Sequence, residues 1–450
     1  MNGPSERARF GVAAAVVVTC GAGLSMIGPW RLAPNACLAL FAIAGAAWIA
    51  AVMTAERARV TVPIVCGVAL TLRFFALGSS LELSDDVYRY VWEGELSARG
   101  ISPYAFAPGA PELEAIRAEL PGLAARVAHP EVAAVYPPIV QGFATLAVRV
   151  SHALDSPSEV GAVWFLRILL ACADLLVLWP LALLARASGR VRTALVAWGL
   201  CPLVVFEFAG SAHFDVVGIA LLCAALVALK VADERRSIGR EIGASALFAS
   251  AILSKYLPIF VLPWLGVGRT RFTRALLAAV FAALAFAPFL FLVGGERGFA
   301  SGLHQYRDRW EAGSLVFRFV RDGARALFTD HADPERIARI IVAILWFAWA
   351  VFVYARVRER VRGVGLLLAG FLVLTPTLHP WYSIWVLPFV ALAPSPAWLW
   401  LFAAAPILYA PLAGWQNEGR WVEQVWLWPV LALPFFALLI FQSRPLRARS

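Results

Sequence analysis

Residues 60–94 read VTVPIVCGVALTLRFFALGSSLELSDDVYRYVWEG. The apolar part, read as a segment over 59–80, is long enough to cross a bilayer, which takes roughly 20 such residues. It ends in a short polar turn at Ser84, and two adjacent carboxylates, Asp85 and Asp86, follow at once. Neighbouring acids repel, and at the edge of low-dielectric material one of them is expected to bind its proton more tightly than usual. A carboxylate poised to take a proton is what a general base needs.

The rest of the chain repeats the first part of this pattern. Of its 450 residues 61% are hydrophobic and only 15% charged, where a soluble domain carries about a quarter. The composition reads as an all-α polytopic membrane protein. The net charge of +10 comes from arginines in short runs between apolar segments, the positive-inside pattern, and does not point to a nucleic-acid partner. The six cysteines, Cys20, Cys37, Cys66, Cys172, Cys201 and Cys223, lie in or beside apolar segments without metal-ligand spacing, as small buried hydrophobes do. Arg7 and Arg9 precede the first apolar run, which reads as a first membrane helix that stays attached.

Fourteen apolar segments lie between residues 10 and 441. The arginine-rich connections are 55–59, 186–192, 230–241, 267–274, 354–362 and 443–449. If all face the cytoplasm, two segments are not ordinary crossings. Segment 137–152 is short and opens with Pro137-Pro138, so a partly penetrating helix is expected. Segment 242–266 is interrupted by Lys255 and Pro258, so a re-entrant hairpin is expected. About twelve crossings remain, with both termini inside. The loops 81–136 and 294–336, the pair His213 and Asp215, and His379 with Trp381 then fall on the outer side. The expected fold is one integral-membrane domain over 1–450, its outer loops bearing short amphipathic helices.

Bland readings accompany each candidate residue. Ser84 suits a helix N-cap, and Asp85 and Asp86 suit the first turn of a helix lying on the membrane surface. Arg89 fits an internal partner for either acid, or a phosphate ligand. Lys255 inside an apolar run marks a functional site or a snorkelling side chain. His213 and Asp215, two apart, point to different sides of a helix and are not a metal pair by themselves. Arg167 and Asp174, seven apart, share a helix face and fit a buried ion pair. His379 sits at a turn forced by Pro380. Tyr136-Pro137-Pro138 reads as a rigid helix entry. His304, Tyr306, Arg307, Asp308 and Arg309 form a charged and aromatic cluster. No P-loop, dinucleotide fingerprint or zincin motif is present, so ATP-driven, dinucleotide and zincin chemistry are not indicated.

The stretch SDDVYRYVWEGELSARGISPY over 84–104 resembles the first outer loop of bacterial GT-C glycosyltransferases, including polyprenyl-phosphate-mannose-dependent mannosyltransferases. The resemblance extends through YPP at Tyr136–Pro138, RILLACADL at Arg167–Leu175, SAHFD at Ser211–Asp215, SKYLP at Ser254–Pro258 and HPWYSIW at His379–Trp385. Where relatives often show His-Asn-Asp, this chain has His213-Phe214-Asp215.

The resemblance implies a GT-C-like bundle and an inverting transfer, with mannose the favoured sugar. The donor is a polyprenyl-phosphate sugar, the acceptor a glycan or glycolipid, and the place the outer face of the cytoplasmic membrane. Asp85 is implied as the general base, and Asp86 as a residue that orients it, binds sugar hydroxyls or holds a divalent ion. Lys255 and Arg89 are implied at the donor phosphate, and Tyr88, His213, Asp215, Tyr256 and His379 in the substrate pocket. Mg or Mn dependence is left open. The rival reading is a transporter or flippase of lipid-linked sugars; a subunit without chemistry is a third.

Overall fold

The computed structural model describes residues 5–235, 237–294, 311–328 and 333–443. The longer helices are α1 (Glu6–Met26), α2 (Pro34–Thr54), α3 (Val62–Leu77), α4 (Asp86–Ala98), α5 (Pro138–Ala153), α6 (Ser158–Ala185), α7 (Val191–Gly199), α8 (Asp215–Glu234), α9 (Ile238–Ser254), α10 (Gly268–Leu290), α11 (Phe317–Leu327), α12 (Pro334–Arg356), α13 (Arg360–Leu374), α14 (Pro396–Glu418) and α15 (Leu427–Ser443). Their starts are written locally. Proline stands in the first turn of α2, α3, α5 and α12, where its missing N–H costs nothing. Ser5, Ser237, Asp333 and Glu359 accept backbone N–H groups as caps, satisfying donors that a helix start leaves open. Among the described residues extended pairing is limited to isolated bridges.

Seven of these helices are long and apolar enough to cross a membrane: α1, α2, α6, α8, α10, α12 and α14. Val191–Gly199 and Pro202–Gly210, bent by 52°, make an eighth if the pair is one span. The chain is therefore a multi-pass, all-helical membrane protein, but the twelve crossings expected from segment counting are not shown. Prolines and short runs explain the difference. Segments 59–80 and 422–441 yield helices of 16 and 17 residues, and 362–378 yields one of 15. At 1.5 Å per residue these fall short of a core about 30 Å thick. Segment 383–395 is broken into short helical turns, one of them with Pro388 in its first turn.

The chain divides into two compact units, each built from separate stretches: residues 1–83, 181–206 and 311–450, and residues 84–180 and 207–310. In the first, α1 packs on α2 and α3, α2 on α14, and α12 on both α11 and α13. Trp48, fully buried, donates from Nε1 to the Ala197 carbonyl at 3.1 Å. In the second, α4 packs on α5, and α9 on α8, α10 and α5. Segment 242–266 appears as the end of α9 followed by a 3-10 run over Leu257–Trp264. Arg274, fully buried, clamps α10 to Glu241 of α9 at 2.6 and 3.0 Å and to Asp233 of α8 at 2.8 Å.

The helix after the acidic pair is not a surface helix. Val87 and every residue from Arg89 to Leu96 are buried. Its far end is pinned by Glu95, fully enclosed, which accepts from Ser158 and Arg99 and lies 2.9 Å from His152 Nε2. Asp174 is fully buried, and Arg167 donates from Nε to the Ala209 carbonyl at 3.1 Å. The residues of the second outer loop singled out above, His304 to Arg309, lie outside the described residues.

Candidate active site

The helix start lies one residue later than the sequence suggests. Asp85, not Ser84, holds the N-cap position of α4 and makes no side-chain cap bond. Ser84 Oγ instead accepts from the Asp86 N–H at 3.2 Å. Both acids are half-buried. Facing them is the turn between the bent span and α8. A π turn over Phe206–Gly210 ends the span, and Ala212 adopts a left-handed φ of 59°. His213 follows. Its Nε2 lies 3.1 Å from Ser84 Oγ and 3.7 Å from Asp86 Oδ2. Its Nδ1 lies 2.9 Å from Glu207 Oε2.

Asp215 opens α8, where an acid suits the helix dipole, and is 1% exposed. Its Oδ2 meets Lys255 Nζ at 3.2 Å. Lys255 caps the end of α9 in extended backbone, and its ammonium also stands 5.8 Å from the Tyr136 ring centre. The Tyr136 ring packs edge-on against Tyr90 at 4.7 Å, and Tyr90 against Phe214 at 4.9 Å. Phe214 is therefore an aromatic spacer between His213 and Asp215. Burial pushes the Tyr90 and Tyr136 phenols well up.

Arg89 is placed otherwise than expected for a phosphate ligand. Nε donates to Glu93 Oε1 at 3.0 Å, Nη1 to the Ala128 and His129 carbonyls, and Nη2 to the Val132 carbonyl. All three nitrogens are engaged, and the side chain serves to strap residues 128–132 to α4. Glu93, 1% exposed, also accepts from Gln141 at 2.6 Å. Burial pushes its carboxyl above the usual carboxylate range, outweighing the pull of Arg89 and Gln141. Tyr136-Pro137-Pro138 is the rigid entry foreseen: Pro137 caps α5, Pro138 opens it, and the Tyr136 carbonyl accepts from Tyr104 at 2.9 Å.

One cluster thus gathers Asp86, His213, Asp215 and Lys255. Tyr88 lies with its ring under the Arg126 guanidinium at 3.9 Å. The buried Tyr256 hydroxyl has no hydrogen-bond partner among the described residues. His379 belongs to the other unit, stacked parallel on Trp381 at 4.5 Å. Sequence reasoning missed Glu207, Glu93 and Gln141. Glu207 carries the same signal that marks Lys255, an ionisable residue inside an apolar run. As for a metal, no three His, Cys, Asp or Glu side chains converge as ligands among the described residues. His213 is committed to Ser84 and Glu207, and Asp215 to Lys255. Neither His213 nor Asp215 is therefore placed to serve as a metal ligand.

A family model described as alpha-(1->6)-mannopyranosyltransferase, N-terminal domain, matches residues 8–271. The chain belongs to this family, the MptA/B family. Membership makes it a glycosyltransferase, of a GT-C mannosyltransferase family that depends on polyprenyl-phosphate mannose. The matched stretch holds every candidate site residue except His379. Searches of curated proteins and of solved structures returned no match.

Proposed function

We propose that this protein moves mannose from a polyprenyl-phosphate donor to a hydroxyl of a glycan or glycolipid at the outer face of the cytoplasmic membrane. The observation that carries the reading is the convergence of an acidic turn and a partly exposed lysine within the family-matched stretch. Asp85 is the general base. It takes the proton of the acceptor hydroxyl as that oxygen attacks the anomeric carbon. The bond from that carbon to the phosphate oxygen breaks, and polyprenyl phosphate leaves with the electron pair. Attack opposite the leaving group inverts the anomeric centre, so an α-linked product calls for a β-configured donor.

Negative charge grows on the departing phosphate, and a fixed cation is worth most there. Lys255 supplies it: Asp215 holds the ammonium in place while 23% of the lysine side chain stays exposed. Arg89, its nitrogens already engaged, shapes the loop rather than the phosphate site. Tyr88 and Tyr256 belong to the pocket wall. No step runs through a metal ion. The arginine-rich connections support the outward orientation, since they mark the opposite face as cytoplasmic. The transporter reading accounts for the spans but leaves the acidic turn without a task.

The test is transfer by purified protein in lipid from labelled polyprenyl-phosphate mannose to a membrane glycolipid extract, wild type beside Asp85→Asn. Wild type is expected to give product that an α-(1→6)-specific mannosidase removes. Asp85→Asn, folded normally, is expected to lose about 10²–10⁴ in rate. Equal product from both would dismiss Asp85 as the base.

A further inference from the structure

His213 and Glu207 form a buried ionisable pair beside the acidic turn, and the transfer chemistry leaves them without a task. The His213 side chain has no exposed surface and Glu207 has 1%. A ring so enclosed does not meet a sugar or a phosphate; what it meets is Ser84 and Asp86. The backbone doubles the link, because His213 N–H donates to the Glu207 carbonyl at 3.1 Å. Ala212, just before His213, is fully buried in the left-handed region, a conformation unfavourable for a residue with a Cβ. Strain of this kind persists only where the surroundings over-determine it, and it gathers at functional sites, as π turns do.

We propose that Glu207 and His213 are a positioning pair for the transferase: Glu207 orients the imidazole, and the imidazole holds the Ser84–Asp86 turn so that Asp85 meets the acceptor hydroxyl. The proposal rests on the transfer reading above. Neither residue touches substrate; both act through the turn. The division of labour explains why two acids stand side by side, since Asp86 is held by the ring while Asp85 takes the proton. It also explains why a glutamate occurs within an otherwise apolar run, Val204-Val205-Phe206-Glu207-Phe208-Ala209: a buried carboxylate is tolerated where it has a charged partner.

The charged groups facing the ring are Glu207 from the π turn, Asp86 from α4 and Asp215 from α8, the last paired with Lys255. Burial, the largest single influence, disfavours the charged imidazole; Glu207, Asp86 and Asp215 together outweigh it and hold the His213 pKa above its ordinary value. The charged ring is therefore present below this raised pKa and is lost as pH rises through it. Glu207→Gln removes the strongest support and leaves burial in charge, so the titration moves to lower pH.

The experiment compares wild type, Glu207→Gln, Glu207→Asp and His213→Gln in lipid nanodiscs. Two readouts are taken: the pH profile of transfer, and the imidazole titration of ¹³C-labelled histidine, with His213 assigned through its own variant. Glu207→Gln is expected to lower kcat about tenfold or more with KM for the donor within a factor of about two. Its alkaline limb and its His213 titration are expected to move together to lower pH. Glu207→Asp, which keeps the charge, is expected to restore part of both. A titration and an alkaline limb that both stay in place in Glu207→Gln, or full activity of His213→Gln at every pH, would overturn the pair. Should wild type transfer no mannose, the transfer reading falls, and the titration by itself decides whether Glu207 governs the ring.

Discussion

Lys255 shows what one residue contributes and how it was legible. Its partner Asp215 is enclosed while the lysine is not, so the ion pair anchors a cation whose other side meets solvent or ligand. Lys255→Ala is expected to lower transfer about 10²–10³-fold, the usual cost of one donor at a developing anion. That variant also takes the lysine partner from the buried Asp215, which lowers stability, so the informative comparison adds Asp215→Asn. The double variant is expected to recover thermal stability yet remain deficient in single-turnover transfer. Recovery of both would make the pair purely structural. Lys255 stands out in the sequence because lysine inside an apolar run is costly and asks for a reason. The same rule applies to Glu207, whose partner lies six residues on, behind a π turn that hydrophobic spacing does not reveal. Arg89 was read as a partner for Asp85 or Asp86 or as a phosphate ligand, and the structure pairs it with Glu93 instead. Its remaining acceptors are carbonyls 39 to 43 residues away, and carbonyls carry no sequence signature.

At the scale of the element, α4 was legible as a helix and misleading in its placement. Its acids and arginine look like a wet face. In the structure Glu93 finds Arg89 and Gln141, and Glu95 finds Arg99, His152 and Ser158. Polar groups satisfied in this way can be buried on every side, a pairing that periodicity cannot see. What lets α4 sink against α5 is Gly94: a Cβ there would stand 2.5 Å from the Ala144 carbonyl oxygen. Backbone gives way less readily than a side-chain tip, so Gly94→Ala is expected to push the helices apart. A loss of about 1–3 kcal/mol, typical of overpacking, should appear in thermal unfolding of the detergent-solubilised protein. Transfer should fall with it, since the same helix carries Asp85 and Asp86. An unchanged melting temperature would mean that the two helices part without cost.

For the whole molecule, the contact between Asp86 and His213 constrains the crossing count. Residues 3.7 Å apart lie at one depth, and where that depth is a membrane surface, as proposed for the site, an even number of crossings separates them. Between them lie α5, which is 16 residues long with Gln141 buried in it, α6, which is long and apolar enough to span, and the bent pair over 191–210. If α5 does not cross and α6 does, the bent pair must return the chain, and the eight-span count follows. The positive-inside rule agrees independently, because 186–192 and 230–241 are both arginine-rich and a non-crossing pair would place them on opposite faces. Single cysteines at the exposed positions Glu112, Arg190 and Arg240, with the exposed Cys66 and Cys172 replaced, test this in intact cells. A membrane-impermeant maleimide is expected to label the site at 112 directly, and those at 190 and 240 only after permeabilisation. Labelling at 240 alongside 112, with 190 protected, would make the bent pair re-entrant and break the link between the acidic turn and the His213 turn. The proposed site depends on that link, so the topology experiment bears on the chemistry as directly as any substitution within it.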